Sequence, residues 1–177
     1  MRMKTKKSRE VYRNAWMTVR EDEIVRDDGS LGTYGVVDKP DFALIIPQDD
    51  SGFWLVEQYR YPVARRAWEF PQGSWANETK RTQVDLAVVE LREETGFQAE
   101  SMEHLGRLFS AYGFCSQGFD VFHATGLRGG QHAREASEQD MQQRHVSKSE
   151  LNDMIFGGLI VDAATVAAVA LLTLVHA

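Results

Sequence analysis

Three glutamates in the run ELREETG, residues 90–96, are the side chains of this sequence best suited to chemistry. A helix places residues at i, i+3 and i+4 on one face, so Glu90, Glu93 and Glu94 would stand side by side. Like charges at that spacing destabilise a helix slightly unless a cation lies between them. Hard divalent ions prefer carboxylate oxygens, so the cluster indicates a metal-assisted reaction at phosphorus. An acidic, solvated helix face is the alternative interpretation of this run taken alone.

The helix that must carry these glutamates has clear start and stop signals. Apolar residues recur at helical spacing between Gln83 and Thr95, Thr82 with Asp85 resembles a capping box, and Gly96 supplies the stop. The pattern predicts one helix over residues 83–95.

Short strands are predicted on both sides of this helix. A turn at Asp28-Gly29 indicates a hairpin or a slightly longer loop between the first two predicted strands. The pattern of apolar runs and turn residues predicts strands at residues 23–26, 34–37, 42–46, 53–59, 68–70, 105–109, 119–124 and 141–146. A second capping-box pattern, Ser147 with Glu150, precedes a short helix that reaches about Ile155, and Asp162 caps an apolar helix over residues 163–175. This order favours a mixed sheet covered by helices.

Composition limits the class of protein. A length of 177 residues with 43% hydrophobic content predicts one domain. The single Cys115 cannot form an internal disulfide and the first residues lack a signal-peptide core, so cytoplasm is the expected compartment. A net charge of -6 argues against nucleic-acid binding, and the basic run over residues 2–9 is expected to be a frayed tail. The apolar run over residues 163–175 is shorter than the roughly 20 residues that span a bilayer, so no membrane contact is expected.

Several separate segments carry a resemblance to a known family. PQGSWANETKRTQVDLAVVELREETGF resembles the signature of the Nudix hydrolases, in which a glycine and a glutamate-containing loop precede Arg-Glu-apolar-x-Glu-Glu-x-Gly-apolar. VYRNAWMTVREDEIVRDDG, FWLVEQYRYP, WEFPQG and GLIVDAATVAAVALL resemble the subgroup that hydrolyses ADP-ribose and other nucleoside diphosphate sugars. The resemblance implies one Nudix domain over residues 1–177, an α/β/α sandwich with a mixed sheet and N-terminal antiparallel strands.

Two departures from the family signature lie next to the glutamates. Val89 occupies the position of the usual arginine, and Gly73 lies 17 positions before Glu90, two more than usual. The usual loop glutamate has no clean counterpart, Glu78 being the nearest acid. In the family these residues mainly brace the loop, so their loss leaves the implied metal site in place.

The resemblance also implies roles for the glutamates. Glu90 and Glu94 are expected to bind Mg2+ or Mn2+ directly, with Glu93 bound directly or through water and a backbone carbonyl near Gln72 or Gly73 completing the shell. The metals would neutralise the diphosphate and activate water for attack on one phosphorus, which gives a nucleoside monophosphate and a sugar 1-phosphate. Cys115 and the five histidines show no zinc spacing, and the histidines are interpreted as structural or surface residues.

In this subgroup a glutamate on a loop after the later strands often supplies the general base. Glu138 is the preferred candidate here, and Glu135 and Asp140 are the alternatives; each could equally belong to a solvated acidic loop.

Four further residues are candidates for substrate binding. Arg60 could clamp a phosphate or pair with Glu69 to fix the sheet. Trp75 could stack on a base or pack against the protein, and Tyr112 could stack on the ligand.

The substrate class rests on the positions of the prolines. ADP-ribose-specific relatives carry a proline downstream of the signature, whereas the four prolines here lie at or before Pro71. This favours a broader nucleoside diphosphate sugar activity. One alternative is hydrolysis of dinucleoside polyphosphates, because Tyr112 also resembles a tyrosine in relatives that cut those substrates. The other is a non-catalytic module that binds a nucleotide sugar. Relatives are commonly dimers, so a homodimer involving residues 1–40 is expected.

Overall fold

The first three strands form a small antiparallel sheet of their own. The computed structural model describes residues 2–75, 81–131, 133–134 and 139–176. Strands β1 (Met3–Arg13), β2 (Thr18–Arg26) and β3 (Leu31–Asp38) lie in the order β1-β2-β3. The predicted hairpin at Asp28-Gly29 is confirmed, with Gly29 in the left-handed conformation at φ 82°.

The expectation of a frayed basic tail was wrong. The chain from Met3 to Arg13 pairs with β2 along its length. Two of the basic residues lie close to acidic ones on β2, since Arg9 contacts Glu21 at 3.0 Å and Lys6 lies 3.9 Å from Glu23. Opposite charges across an antiparallel pair stabilise it. The first residues therefore form a paired strand whose side chains remain exposed to solvent.

The second sheet is mixed and forms the centre of the molecule. Its strands are β4 (Phe42–Asp49), β5 (Gly52–Arg60), β6 (Arg65–Glu69), β7 (Gln72–Gly73), β8 (Ser101–Phe109), β9 (Gly118–Thr125) and β10 (Gln142–Val146). The main order is β10-β5-β4-β9-β8, with β6 beside β5 and β7 beside β4. Strands β4 and β9 are parallel and the other pairs are antiparallel.

Helices cover both faces of this sheet. Helix α1 (Gln83–Thr95) packs on one face against Ala43, Ile45 and Phe122. Helices α2 (Lys148–Phe156) and α3 (Ala163–Val175) pack on the other face, where Leu44 and Ile46 point. Strand β4 is apolar at successive positions because both of its faces are buried. The expected α/β/α sandwich is confirmed.

The predicted helix ends are largely confirmed. Thr82 and Asp85 form both bonds of the capping box on α1, and Gly96 ends it in the left-handed conformation. Ser147 accepts the Glu150 N–H at the start of α2. Asp162 accepts the N–H groups of Ala164 and Thr165 at the start of α3. None of the helices within the described ranges combines the length and apolarity needed to cross a bilayer.

Candidate active site

The carboxylate of Glu90 lies directly against the backbone of Gly73. A Cβ built on Gly73 would lie 2.3 Å from the Glu90 carboxyl carbon, so a larger residue at this position would displace the carboxylate. Glycine thus permits a close approach of the chain to an acidic side chain. The sequence placed these two residues 17 positions apart, and the fold brings them into contact.

Glu94 is the most enclosed of the three glutamates. Glu94 is 1% exposed, and its Oε2 accepts a hydrogen bond from the Gln72 N–H at 3.3 Å. Glu90 and Glu93 are half-buried on the same helix face. The predicted clustering of the three glutamates on α1 is therefore what the structure shows, and Gln72 and Gly73 lie beside two of them.

The segment that contacts the glutamates is fixed from two further sides. The Ile45 N–H donates to the Pro71 carbonyl at 2.9 Å, and the Phe70 N–H donates to Thr165 Oγ1 at 3.0 Å. The Gln72 side-chain amide donates to Asp162 Oδ2 at 3.2 Å. Strand β4 and the start of α3 thereby hold this segment in place, although Val89 stands where the family has its bracing arginine.

Arg60 and Glu69 form a pair across neighbouring strands. Arg60 Nε donates to Glu69 Oε2 at 3.1 Å, and its Nη2 contacts Oε1, while Gln58 also donates to Glu69. Burial raises the pKa of Glu69, and Arg60 opposes that effect. Burial also works against the charge of Arg60, but the carboxylates of Glu69, Glu94 and Asp162 outweigh it and raise the pKa of Arg60. The pairing alternative is thus observed, and the guanidinium stays charged.

A cleft of about 930 Å³ opens beside this pair. Its lining includes Arg60, Glu69, Gln72, Gly73, Tyr112 and Asp162. Since Gln72 and Gly73 also contact Glu94 and Glu90, the same two residues connect the acidic face of α1 with the cleft. A cleft of this volume suits a ligand the size of a nucleotide sugar.

The two aromatic candidates lie in different surroundings. Tyr112 lies at the cleft and is 87% exposed, so its ring is accessible to a ligand. Trp75 packs against the apolar cluster under α1, with the Arg81 guanidinium 5.2 Å from its ring centre. The described lining of the cleft includes Ser74 but not Trp75. The geometry of Trp75 matches the packing alternative.

The loop after β9 approaches the C-terminal end of α1. The Ala133 N–H donates to the Glu93 carbonyl at 3.2 Å, and Arg134 Nε donates to the Glu94 carbonyl at 3.2 Å. Asp140 pairs with Arg66 at 2.6 Å. Glu78, Glu135 and Glu138 lie outside the described residues.

Sequence reasoning missed two polar residues of the cleft. Arg107 lines it and binds Asp120 at 2.8 Å and Asp41 at 2.5 Å. Asp162 was interpreted as a helix cap, yet it also binds Gln72 in the cleft wall. A capping motif does indicate Asp162, but nothing in the spacing of Arg107 indicates the cleft.

Comparison with known proteins decides the family. A family model described as the nucleoside diphosphate sugar hydrolase N-terminal domain matches residues 3–37, which lie in the N-terminal sheet. The ADP-ribose pyrophosphatase of Mycobacterium tuberculosis (strain ATCC 25618 / H37Rv) is 32% identical over 166 residues, covering 92% of this chain and 79% of that protein. This chain belongs to the Nudix hydrolases. Within that family it falls in the ADP-ribose and nucleoside diphosphate sugar pyrophosphatase subgroup, as its sequence predicts.

Two other proteins extend the comparison of this Nudix hydrolase. The methanol dehydrogenase activator of Bacillus methanolicus is 29% identical over 126 residues, covering 70% of this chain and 66% of that protein. A solved structure of an ADP compounds hydrolase superimposes with a TM-score of 0.87 at 19% identity, covering 98% of this chain and 93% of that one. The structural match shows the Nudix fold, and the family makes the chain a pyrophosphohydrolase.

The acidic face of this Nudix hydrolase fits a hard divalent cation. Glu90, Glu93 and Glu94 offer carboxylate oxygens, which Mg2+ and Mn2+ prefer. Because Gly73 has no side chain, its backbone lies directly against the Glu90 carboxylate, in space that a Cβ would occupy. The three carboxylates and the close approach of the Gly73 backbone both agree with the metal dependence that is general in this family.

Proposed function

We propose that this enzyme hydrolyses the diphosphate bond of nucleoside diphosphate sugars, with ADP-ribose and ADP-, GDP- and UDP-sugars as the candidate substrates. One observation carries the proposal: Gln72 and Gly73 contact Glu94 and Glu90 and also line the cleft beside Arg60. A diphosphate in the cleft would lie between the carboxylate face and a fixed guanidinium. The name of the mycobacterial relative, an ADP-ribose pyrophosphatase, supports this substrate class.

The residues on the acidic face of α1 have one role in the proposed reaction, which is to hold the metal. Glu90 and Glu94, with Glu93 and the Gly73 carbonyl, would hold Mg2+ or Mn2+. When bound, the metal supplies positive charge against the diphosphate and makes water more acidic. Water then attacks one phosphorus and the bridging P–O bond breaks, which releases a nucleoside monophosphate and a sugar phosphate.

Arg60 and Tyr112 would orient the substrate. The Arg60 guanidinium is held by Glu69, so its position is set before a ligand arrives, and less side-chain entropy is lost on binding. Its outward edge can donate to phosphate oxygens. Tyr112 would stack on the base or the sugar.

Glu138 is the proposed general base, with Glu135 as the alternative. Support comes from the described ends of the same loop, because Ala133 and Arg134 bind the carbonyls of Glu93 and Glu94. Asp140 is engaged by Arg66, which makes it a weaker candidate. A pH profile of turnover for Glu138→Gln beside Glu135→Gln separates the two glutamates, since loss of the base removes the acidic limb of the profile.

We also propose a single domain over residues 1–177, a cytoplasmic location and a homodimer that uses residues 1–40. Support for the dimer comes from the exposure of β1, where every position is exposed along 11 residues. A long exposed edge strand is commonly covered by another chain.

The test of the proposed function is release of nucleoside monophosphate from a panel of substrates with Mg2+. The panel contains ADP-ribose, ADP-, GDP- and UDP-sugars and dinucleoside polyphosphates, and Glu94→Gln is compared with the parent. We expect turnover to fall by more than the roughly 100-fold that loss of a supporting residue can cost, because a metal-holding group is removed. Glu150→Gln, on the surface helix α2, is the matched control and should keep parental turnover.

Three outcomes contradict parts of this proposal. Tight binding without turnover on every substrate would show a binding module instead of an enzyme. Faster turnover of dinucleoside polyphosphates than of nucleoside diphosphate sugars would show that the proposed substrate class is wrong. Parental turnover in a folded Glu94→Gln would remove that glutamate from the site.

A further inference from the structure

Two histidines and a glutamate lie together away from the cleft, at the C-terminal end of α3. Glu103 comes from β8, His123 from β9 and His176 from the residue after α3. One ligand atom from each lies within 4.8 Å of the others. Glu103 Oε2 lies 3.6 Å from His176 Nε2 and 4.0 Å from His123 Nδ1. Three separate elements therefore bring two imidazoles and a carboxylate together.

A fourth residue fixes the proton on His123. His123 Nε2 lies 2.8 Å from Gln48 Oε1, and an amide oxygen can only accept a hydrogen bond. The Nε2 atom must then carry the proton, which leaves the Nδ1 lone pair on the side of Glu103. Histidines that bind metals usually donate their other ring N–H to an oxygen in this way.

We propose that Glu103, His123 and His176 form a zinc site, distinct from the glutamates of α1. Two histidines and one carboxylate are a common zinc ligand set, with water in the fourth position. In a tetrahedral zinc site the ligand atoms lie roughly 3.4 Å apart, given bonds of about 2.0–2.2 Å. The side chains of Glu103 and His176 are 49% and 46% exposed, so they can rotate to close the remaining gap and admit the ion.

The position of the site at a helix C-terminus favours a bound cation. His176 caps the C-terminal end of α3, where its N–H binds the Leu172 carbonyl. The carbonyl end of a helix favours positive charge.

The site would brace the helix that supports the cleft. The start of α3 binds Phe70 through Thr165 and Gln72 through Asp162. Zinc at its other end would join α3 to β8 and β9. His123 lies four positions along β9 from Phe119 of the cleft wall, roughly 13 Å away at strand spacing. Zinc bound there would therefore stabilise the packing of α3 against the sheet.

Zinc titration of the full chain tests the proposal without any measurement of activity. The chelator-treated protein is titrated with ZnCl2 by calorimetry in excess Mg2+, which occupies the hard carboxylate site. We expect one zinc per chain, and His176→Ala should weaken the affinity by about tenfold or more. His104→Ala is the control, because His104 adjoins Glu103 on β8 but its ring contacts Phe122 on the opposite face.

Thermal unfolding gives the second readout. A ligand that binds the native state raises the melting temperature, so at one zinc concentration the rise should be smaller in His176→Ala than in the parent and in His104→Ala. His176 lies at the surface end of its helix, so this variant should fold. Absence of zinc binding by the parent, or equal zinc affinity in His176→Ala and the parent, would overturn the proposal.

Discussion

The two sheets of this molecule are held together in opposite ways. Strand β1 is exposed at each of its 11 positions, whereas β4 has five consecutive buried residues from Ala43 to Pro47. The central sheet gains stability from apolar burial on both faces. The N-terminal sheet relies on its backbone ladder and on surface ion pairs such as Arg9–Glu21, which contribute little. Equivalent substitutions in the two sheets should therefore lower the free energy of unfolding by unequal amounts.

The largest difference is expected for apolar truncation. Phe70 is fully buried between the sheet and α3, and its ring contacts that of Phe53. Phe70→Ala should lower the free energy of unfolding by about 3–5 kcal/mol. Leu31→Ala, on an exposed residue of β3, should change it by less than about 0.5 kcal/mol. Urea denaturation measures both, and similar losses in the two variants would contradict the comparison.

Ion pairs should show the same contrast on a smaller scale. Glu69 is 2% exposed and accepts from Arg60 and Gln58, so Glu69→Gln should cost about 2 kcal/mol of unfolding free energy. The matched control is Glu10→Gln, which removes the exposed Glu10–Arg13 pair of β1. No measurable loss is expected there. Urea denaturation again provides the measurement, and a greater loss in Glu10→Gln would refute the burial argument.

These pairs also show what the sequence could predict. The run over 82–96 contains its own cap, stop and apolar spacing, so α1 and the side-by-side glutamates follow from local rules. The basic residues of β1 carry no local sign of a strand, because their stabilising partners belong to β2.

The functional residues divide in the same manner. Gly73 and Glu90 could be matched through the family signature, although only the fold shows their contact. Glu103, His123 and His176 are separated by 20 and 53 positions, far beyond the spacings that local motifs use. Sequence reasoning interpreted those histidines as structural or surface residues because their shared location depends on how β8, β9 and α3 pack.

The exposed apolar residues of the N-terminal region provide a test of the proposed dimer. Trp16 is 74% exposed in the turn between β1 and β2. Trp16→Glu should weaken association by about tenfold or more, equivalent to 1.4 kcal/mol, because a charge replaces apolar contact area. Light scattering across a concentration series measures this change. Phe156→Glu, at the exposed end of α2, is the control and should associate like the parent. A parent that stays monomeric at micromolar concentration would exclude the dimer.

The smallest expected difference lies between two hairpin turns that use the same chemistry. Asp28 joins β2 to β3 and Asp49 joins β4 to β5, and each accepts bonds from the serine two positions later. Asp49 accepts further bonds from the Gly52 N–H and from Trp54 Nε1, and His145 lies 3.2 Å away. The turn of the central sheet thus fixes its aspartate with more donors.

Acid titration of stability should separate these two turns. The Ser51 hydroxyl, aided by further donors and opposed by burial, holds the pKa of Asp49 well below its usual range. Because the folded pKa is depressed, the stabilisation is present above the unfolded pKa of about 3.9 and is lost as pH falls through the folded value. Asp49→Asn should therefore lower the melting temperature most at pH ~7, with the gap from the parent narrowing below pH ~4. Asp28→Asn should give a smaller gap at neutral pH, since the Asp28 carboxylate is exposed and its pKa is lowered mainly by Ser30. Calorimetric melting temperatures from neutral to acidic pH measure both gaps, and a gap for Asp49→Asn that widens as pH falls would show that the carboxylate charge is not what stabilises this turn.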